Sequence, residues 1–306
     1  MTTVEDTELA SQFERLSNWG RWGPHDERGT LNLITPDTIV ASVGLIQTGV
    51  RISCSRPLKI GTAVAPGTEF LHHMLTSGDE APQEGFASTA DWFAMGCHGY
   101  EYTHLDSPAH IVWNGAMYNG FPASQISTSR GALRLSVDEA GDGIAGRAIL
   151  VDGPTIKNKP WVEPGELIEP GELDAWCERI DVRATSGDIL AVRFGRDEAE
   201  RNGVKILGEE SPGLSLDCLD WLHHHDIAVL MSDTISDGVP SATPNCRLPV
   251  HVVSIASMGM WIVDNAAFGL LAETCKEQER WVFFLTMAPL MLRRSTGSPL
   301  NPIAIF

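Results

Sequence analysis

The second half of the chain alternates between two hydrophobic patterns, and each predicts a different element. Short runs that are almost wholly apolar are typical of buried strands, and apolar positions three or four residues apart are typical of helices. The predicted strands are Ile189–Phe194, Ile227–Ser232, Met260–Val263 and Trp281–Met287, and the predicted helices are Leu173–Ile180, Ser215–His224 and Val250–Ser257. Because helices and strands alternate in order, the pattern predicts an α/β fold.

The first half gives weaker patterns. The run Thr35-Pro36-Asp37 predicts the start of a helix that ends at Gly49, because a hydroxyl cap followed by proline favours a helix N-terminus. Strands are predicted at Val50–Cys54, Leu133–Val137 and Arg147–Val151, and a long loop is predicted over Ala65–Phe86. No linker-like segment separates these parts, so we expect one domain over residues 1–306.

The charge balance indicates which kinds of molecule are unsuitable as binding partners of the protein. The chain has 22 Lys and Arg against 40 Asp and Glu, a formal net charge of -18 at pH 7. Such a field repels nucleic acid and anionic membrane surfaces, so we expect neither as a partner. No run approaches 18 consecutive apolar residues, and the acidic N-terminus lacks the basic and apolar regions of a signal peptide. We therefore expect a cytoplasmic protein with free thiols at its six cysteines.

One glycine motif suggests a cofactor that the surrounding pattern does not support. The segment GDGIAG, Gly141–Gly146, fits GxGxxG. A dinucleotide site needs a helix after those glycines, so that the helix N-terminus meets the pyrophosphate. A strand is predicted there instead, so we expect no dinucleotide site.

A short segment concentrates metal-ligand chemistry. Three of the ten histidines and one aspartate fall within thirteen residues: His98, His104, Asp106 and His110. Even numbers separate the first three, so their side chains would share one face of an extended strand. Imidazole with carboxylate suits zinc, manganese or iron(II) better than calcium or magnesium. The spacing predicts a metal site, against the alternative that each histidine is a hydrogen-bonded structural residue.

Two other groups of histidines have simpler explanations. His223–His225 ends a predicted amphipathic helix before a core strand, where polar or cationic residues are favoured. We interpret this run as solvent-exposed rather than metal-binding. His72 and His73 lie in the predicted long loop, where they either line a pocket or belong to an ordinary surface loop.

The segment THLDSPAH, Thr103–His110, resembles the THxDxPxH signature of the cyclase family of metal-dependent hydrolases, which includes bacterial kynurenine formamidase and isatin hydrolase. Similarity extends over most of the chain, in NWGRWGPHDERGTLNLITP (18–36), WNGAMYNG (113–120), SGDILAVRFG (186–195), AVLMSDTISDGVP (228–240) and TGSPLNPIA (296–304). The resemblance, to the longer members in particular, implies a single-domain mixed β-sheet with a barrel-like core and flanking helices. It also implies that residues 1–34 form an N-terminal extension near the active site.

Carried over residue by residue, the resemblance makes His104 and Asp106 metal ligands and His110 a catalytic acid/base. The family's first ligand histidine usually lies four residues before the second, where this chain has Tyr100. The nearest histidine is His98, six residues before. A shift of two preserves strand parity, so we assign His98 as the third metal ligand and keep Tyr100 as the alternative.

A distant histidine and a later acid in the family correspond to His251 and Asp264, which we assign as catalytic residues that orient a water or hold a second ion. The hydrophobic pattern places His251 on a helix and Asp264 at the end of the following strand. From the residues alone, Asp264 has an alternative role as the N-cap of a helix that begins at Ala266.

The resemblance implies one or two divalent ions per subunit, zinc or manganese, a small carbonyl substrate, and a homodimer or homotetramer. An ion with three protein ligands keeps an open position for water and lowers the pKa of that water. We therefore predict hydrolysis of a C–N or C–O bond of a small amide, imide or lactone. Two alternatives stay open: a metal-assisted cyclase or dehydratase in a biosynthetic pathway, and a non-catalytic small-molecule-binding protein that has lost the first histidine. A serine hydrolase is disfavoured, because the sequence contains no GxSxG elbow.

Overall fold

In the computed structural model of the chain, which describes residues 4–62, 69–79, 81–241, 243 and 245–306, a mixed sheet of nine strands curls into a half-barrel. The helices are α1 (Val4–Arg15), α2 (Pro36–Val43), α3 (Gly153–Lys157), α4 (Pro170–Arg179), α5 (Arg196–Arg201), α6 (Cys218–His224), α7 (Pro249–His251) and α8 (Gly269–Glu277), with a π-helix at Val252–Ser257 and short 3-10 helices at Gly29–Leu33, Tyr118–Gly120, Ala123–Gln125 and Val137–Ala140.

The strands are β1 (Arg51–Ser53), β2 (Leu71–Thr76), β3 (Ala90–Ala94), β4 (His104–Asp106), β5 (Ile126–Ser127), β6 (Gly131–Ala132), β7 (Ile144–Asp152), β8 (Leu167–Ile168), β9 (Ile189–Arg193), β10 (Gly213–Leu214), β11 (Val229–Ser232), β12 (Trp261–Asp264), β13 (Val282–Met287), β14 (Gly297–Pro299) and β15 (Ile303–Ile305). The large sheet has the order β1-β15-β13-β7-β9-β11-β12-β4-β14. The four central strands β7, β9, β11 and β12 run parallel, and antiparallel strands extend the sheet on both sides.

Both faces of the central sheet are buried, which explains why its strands are almost wholly apolar. Alternate side chains of β9 belong to two different cores: Leu190 and Val192 pack on one side, and Ile189 and Ala191 on the other. Helices therefore have to cover both faces of the sheet. This mixed α/β half-barrel with flanking helices confirms the predicted fold class.

The apolar runs of the second half are strands, and the periodic segments between them are helical. The helix predicted at Val250–Ser257 is a short α-turn that continues into the π-helix. Strand β7 begins within the glycine motif, at Ile144, so a strand and not a helix follows these glycines in the chain. No helix in the described ranges is long and apolar enough to cross a bilayer.

Three predictions for the first half of the chain are wrong: the end of the helix at Gly49, the strand at Leu133–Val137 and the loop over Ala65–Phe86. The helix predicted to reach Gly49 ends at Val43 and is capped by Gly44. The segment Leu133–Val137 is a bent loop rather than a strand, because Leu135 has a left-handed backbone with φ of 61°. Its alternating apolar side chains, Leu135 and Val137, are buried beneath the loop and so imitate a strand pattern.

The loop predicted over Ala65–Phe86 contains part of a β-hairpin. Strand β2 pairs antiparallel with β3, so the segment has regular structure where Gly and Pro suggested none. Residues 63–68 and 80 lie outside the described ranges.

The N-terminal segment is anchored on the π-helix. The side chain of Asn18 donates a hydrogen bond to the carbonyl of Met258 (2.9 Å), and the indole of Trp19 donates to the carbonyl of Ala256 (2.8 Å). Further along, the amide and hydroxyl of Thr30 both donate to the carbonyl of Gly259. The segment therefore packs on the element that directly follows His251.

Candidate metal centre

Strand β4 carries the central side chains of the candidate site. It lies between β12 and β14, with His104 opposite Asp264 and Pro299, and Asp106 opposite Ile262 and Gly297. Because successive side chains point to opposite faces, Leu105 enters the core while His104 and Asp106 share the other face. This short strand is paired on both sides, so its position is firmly set.

Four imidazoles surround the carboxylate of Asp106, which is 1% exposed. To Oδ1, the distance from His98 Nδ1 is 2.8 Å and that from His104 Nε2 is 3.5 Å. To Oδ2, the distance from His251 Nε2 is 3.7 Å and that from His110 Nε2 is 3.8 Å. The fold thus brings together residues separated by about 150 positions around one buried carboxylate.

His98 reaches the cluster by a different route from the one that parity predicts. It lies in the bent segment before β4, not on an extended strand, and Gly99 follows it with φ of 115°. Its Nδ1 contacts Asp106, its Nε2 lies 2.9 Å from the hydroxyl of Thr296, and its ring stacks on that of His110 at 3.9 Å between centroids. The strand-parity argument therefore holds only for His104 and Asp106.

Tyr100, the alternative to His98, points elsewhere. Its hydroxyl accepts a hydrogen bond from Arg247 (2.9 Å), and its side chain packs against the small apolar cluster of Leu207, Ile235 and Val239. Of the two positions considered for the third ligand, His98 is the one that contacts Asp106.

Hydrogen bonds fix which nitrogen of two histidines faces the carboxylate. His104 Nδ1 lies 2.8 Å from the carbonyl of Tyr102, and a carbonyl only accepts, so Nδ1 carries the proton and Nε2 faces Asp106. His251 Nδ1 donates to the carboxylate of Asp237 (2.5 Å), which leaves Nε2 toward Asp106. Such outer partners hold a metal-ligating imidazole in the correct tautomer and orientation.

Asp237 is a member of the cluster that the sequence analysis does not single out. It is fully buried, and it also accepts hydrogen bonds from the backbone amides of Val250 (2.7 Å) and His251 (3.1 Å). The available signal was an aspartate within the buried segment after β11, a position where an unpaired carboxylate is costly.

His251 and Asp264 lie together, as the predicted helix and strand end place them. His251 ends α7, and its Nε2 lies 3.2 Å from Asp264 Oδ2. The next helix, α8, begins at Gly269 with Phe268 as its cap residue, so Asp264 is not an N-cap. Both side chains belong to the cluster around Asp106.

The arrangement fits a divalent cation. Asp106 Oδ2 and Asp264 Oδ1 are buried, and neither has a hydrogen-bond partner within the described ranges. Two groups have ligand atoms within 4.8 Å of one another: His98, Asp106 and His110, and His104, Asp106 and Asp264. Imidazole and carboxylate are the donors that zinc and manganese accept. Asp106 belongs to both groups, and His110 is a candidate ligand as well as a candidate acid/base.

Burial and mutual charge shift the pKa of each group in the cluster. Burial opposes ionisation of Asp106, yet the charges of His110 and His104 hold its pKa well below the usual range. Burial raises the pKa of Asp264, partly offset by His251. Burial lowers the pKa of His110 to about 4. Burial also opposes protonation of His98, but hydrogen bonding to Asp106 raises its pKa to about 10.

The remaining histidines considered in the sequence lie outside this cluster. His72 pairs with Asp91 (2.8 Å), and His73 stacks on Trp92, both on the exposed hairpin β2–β3. His224 is exposed, and His225 packs against Trp221. The interpretation of the His223–His225 run as a helix end at the surface agrees with this geometry.

Comparisons with known proteins agree with this architecture. The cyclase family model matches residues 48–237, more than half of the chain. A crystal structure described as a novel cyclase superposes with a TM-score of 0.85 and 29% identity, covering 95% of this chain and 100% of that chain. An isatin hydrolase bound to the product analogue thioisatinate superposes with a TM-score of 0.60 and 18% identity, covering 89% of this chain and 98% of that chain.

A third structure, described as a predicted metal-dependent hydrolase from Bacillus stearothermophilus, gives a TM-score of 0.50 and 16% identity, covering 84% of this chain and 98% of that chain. No curated protein matches the chain in sequence.

Fold and site together define a curled α/β protein with a buried cluster of imidazole and carboxylate donors. The chain belongs to the cyclase family. The matched region contains His98, His104, Asp106 and His110, whereas His251 and Asp264 lie beyond it and join the cluster only through the fold. Family membership supports an enzyme of the hydrolase or cyclase type.

Proposed function

We propose that this protein is a metal-dependent hydrolase that cleaves a C–N or C–O bond of a small amide, imide or lactone. The observation that carries the proposal is the carboxylate of Asp106, buried among four imidazoles with one oxygen that has no donor in the described ranges. Family membership and the isatin hydrolase neighbour support the same class.

Asp106 would bind zinc or manganese together with His98 in one group of donors and with His104 in the other, and His251 with Asp264 would orient the attacking water or hold a second ion. When bound, a divalent ion supplies hydroxide near neutral pH and polarises a substrate carbonyl. Asp264 Oδ1 is buried without a hydrogen-bond donor in the described part of the chain, so it is free to accept a proton from water.

His110 is the group placed to exchange protons with substrate. Its side chain is 26% exposed, whereas those of His104 and His251 are 2% and 3% exposed. Its Nε2 points toward Asp106 Oδ2 across 3.8 Å, so the imidazole lies beside the carboxylate and still reaches solvent. Burial lowers the pKa of His110 to about 4, so the imidazole is neutral near neutral pH. In the proposed reaction His110 first accepts the proton that the attacking water releases and then passes it to the departing nitrogen or oxygen.

Two measurements on the purified protein test the proposal. Elemental analysis should find at least one zinc or manganese per chain, and a panel of amides, imides and lactones should contain a compound that is hydrolysed with the metal present. Asp106→Asn is the control, because it keeps the side-chain volume and removes the ionised carboxylate. Wild-type metal content in this variant would remove the basis of the proposal.

Hydrolysis competes with a metal-assisted cyclase or dehydratase. The family and one of the similar crystal structures are described as cyclases. Stoichiometric metal without hydrolysis of any panel member would favour that class. A non-catalytic binding protein was suggested by the missing histidine at Tyr100. His98 contacts Asp106 directly, so the absence of a histidine at position 100 no longer argues for a non-catalytic protein.

A further inference from the structure

The loop between β3 and β4 carries His98 and leads into His104, yet it has little backbone support of its own. Among the described residues, no backbone–backbone hydrogen bond outside regular elements involves residues 97–102. Gly99 within it has φ of 115°, a conformation that most side chains disfavour. Contacts that involve side chains therefore hold this loop, among them those of His98 with Asp106 and Thr296 and that of Tyr100 with Arg247.

We propose that Asn265 is a positioning residue whose buried side-chain amide fixes this loop and thereby the placement of His98 and His104 beside Asp106. Asn265 directly follows Asp264 and is fully buried. The inference rests on the proposed function only where it concerns the affinity for metal. The side chain of Asn265 forms hydrogen bonds with Gly99, Tyr102 and Arg196, none of which is a candidate donor.

The side-chain amide of Asn265 contacts the loop backbone at two points, one next to His98 and one close to His104. Asn265 Nδ2 donates to the carbonyl of Gly99 (2.6 Å), the residue after His98, and lies 3.4 Å from the carbonyl of Tyr102. That second carbonyl also accepts the proton of His104 Nδ1 (2.8 Å). One NH2 group thus acts on the backbone next to His98 and on the acceptor that fixes the tautomer of His104.

A buried arginine sets the orientation of the amide. Arg196 Nη1 donates to Asn265 Oδ1 (2.8 Å), and a guanidinium only donates, so the oxygen must face Arg196 and the NH2 must face the loop. Arg196 is itself held by Glu200 (2.7 Å). The amide therefore has one hydrogen-bonding arrangement rather than two.

The backbone conformation of Asn265 also restricts which residue types fit at this position. Asn265 has φ of 56°, its amide donates to the carbonyl of Thr234 (2.8 Å), and its carbonyl accepts from the hydroxyl of Thr103 (2.7 Å). Asparagine tolerates this left-handed conformation better than most residues, and glycine tolerates it fully. Replacement by glycine therefore deletes the amide without straining the chain.

Two substitutions test separately whether Asn265 acts by donating hydrogen bonds or by filling space with its side chain. Asn265→Gly removes the side chain, and Asn265→Asp keeps its shape and the acceptor for Arg196 but replaces the donor with a second acceptor. Asn158→Gly is the matched control, because Asn158 also has a left-handed backbone, with φ of 53°, at the end of α3. Metal affinity is measured by titration of Zn²⁺ and Mn²⁺, and loop mobility by hydrogen exchange of residues 97–103 without added metal.

Both Asn265 variants should bind metal about 10- to 100-fold more weakly. This is the usual effect of removing an outer residue that holds the metal-ligating side chains in position. Exchange in the loop should rise about fivefold or more, as loss of one net hydrogen bond implies, while β9 and β11 keep wild-type protection. Asn158→Gly should change neither quantity.

Three results would overturn the inference in different ways. Wild-type affinity and exchange in both variants would show that the amide does not hold the loop. Weakening in Asn265→Gly but not in Asn265→Asp would assign the effect to packing instead of donation. If the wild-type protein binds neither metal, the proposed function fails, and hydrogen exchange alone then decides whether Asn265 fixes the loop.

Discussion

A carboxylate buried as deeply as that of Asp106 remains ionised only when nearby groups compensate for lost hydration. Here the compensation comes from imidazoles on strand β4, on helix α7 and in the segments before and after β4, and it holds the pKa of Asp106 well below its usual range despite burial. The same residue belongs to both candidate groups of metal ligands. Single substitutions around this carboxylate are therefore the most informative tests of the site.

Loss of a direct ligand should remove metal and turnover together. We expect Asp106→Ala and His104→Ala each to lower metal affinity by more than the roughly 100-fold that loss of an outer partner costs. Elemental analysis and turnover measured on the same preparations check this. Asp142→Asn, at a side chain that is 68% exposed, is the control and should leave both unchanged. Full metal retention in Asp106→Ala would refute the assignment.

His110→Ala distinguishes a proton-transfer residue from a ligand. If His110 is the acid/base, the variant keeps its metal and loses about 10²- to 10⁴-fold in turnover. The exposed His224→Ala serves as the control for loss of an imidazole. Because His110 also forms one of the two candidate ligand groups, parallel loss of metal would reassign it as a ligand.

Asp237 acts through His251, and its loss should be measurable at the metal. We expect Asp237→Asn to weaken metal binding about 10- to 100-fold, since a neutral amide orients and polarises the imidazole less well than a carboxylate. A metal titration checks this. Asp188→Asn removes another buried carboxylate, paired with Arg147, and should change stability without changing affinity. Equal affinities in wild type and Asp237→Asn would leave Asp237 a purely structural role.

Individual residues differ in how far sequence could predict them. His104, Asp106 and His110 follow from a compact motif. Asp237 and Asn265 could not be found this way, because each acts through partners that are distant along the chain or bound to backbone atoms. Only the folded arrangement shows those partners.

At the scale of elements, the predictions succeeded where burial is continuous. The strands β9, β11 and β12 are buried at every residue, and β13 is almost wholly apolar although its burial alternates. Such apolar runs are visible without knowledge of the neighbouring strands. The error at Leu133–Val137 has the opposite cause. Its apolar side chains pack beneath an irregular loop, so apolar and polar residues alternate in the sequence although the segment is not a strand.

Close contact between the N-terminal segment and the turn before β12 gives a stability prediction. A Cβ added at Gly29, which has φ of 55°, would lie 2.0 Å from the carbonyl oxygen of Gly259. Gly29→Ala should therefore destabilise the fold by about 2 kcal/mol or more and lower the melting temperature by several degrees.

Gly20→Ala is the matched control in the thermal unfolding measurement. Gly20 also has a positive φ, 77°, but an added Cβ would meet no atom within 4 Å. The two variants share the backbone strain and differ in the clash. Equal losses of melting temperature would show that the approach of Gly29 to Gly259 is unimportant.

At the scale of the whole molecule, the curled sheet was expected from the family resemblance and not from hydrophobic periodicity. Periodicity identifies strands, but it does not specify that β4 lies between β12 and β14. Strand order depends on contacts between distant segments, which the local pattern does not encode. The candidate site depends on that order, because His251 and Asp264 reach Asp106 only through it.

Because the site joins several distant segments, a bound ion should stabilise the entire fold. At a free metal concentration of 100 times Kd, mass action predicts a stabilisation of about 2.7 kcal/mol. We expect Zn²⁺ or Mn²⁺ to raise the melting temperature and a chelator to reverse the rise. Asp106→Asn should show no metal-dependent shift. An equal shift in that variant would place metal binding elsewhere.

The pairing of β4 also bears on the order of events during synthesis. Its neighbour β14 is nearly two hundred residues further along the chain, and β12 is about 160 residues further. At about 5–20 residues per second, a ribosome needs roughly 10–40 s to deliver β14 after His104. For most of that interval the donors on β4 have neither neighbour, and until its end they lack β14, so a nascent chain cannot capture a cation in its final geometry. Under the proposed function, metal loading would therefore have to wait until β14 has been synthesised.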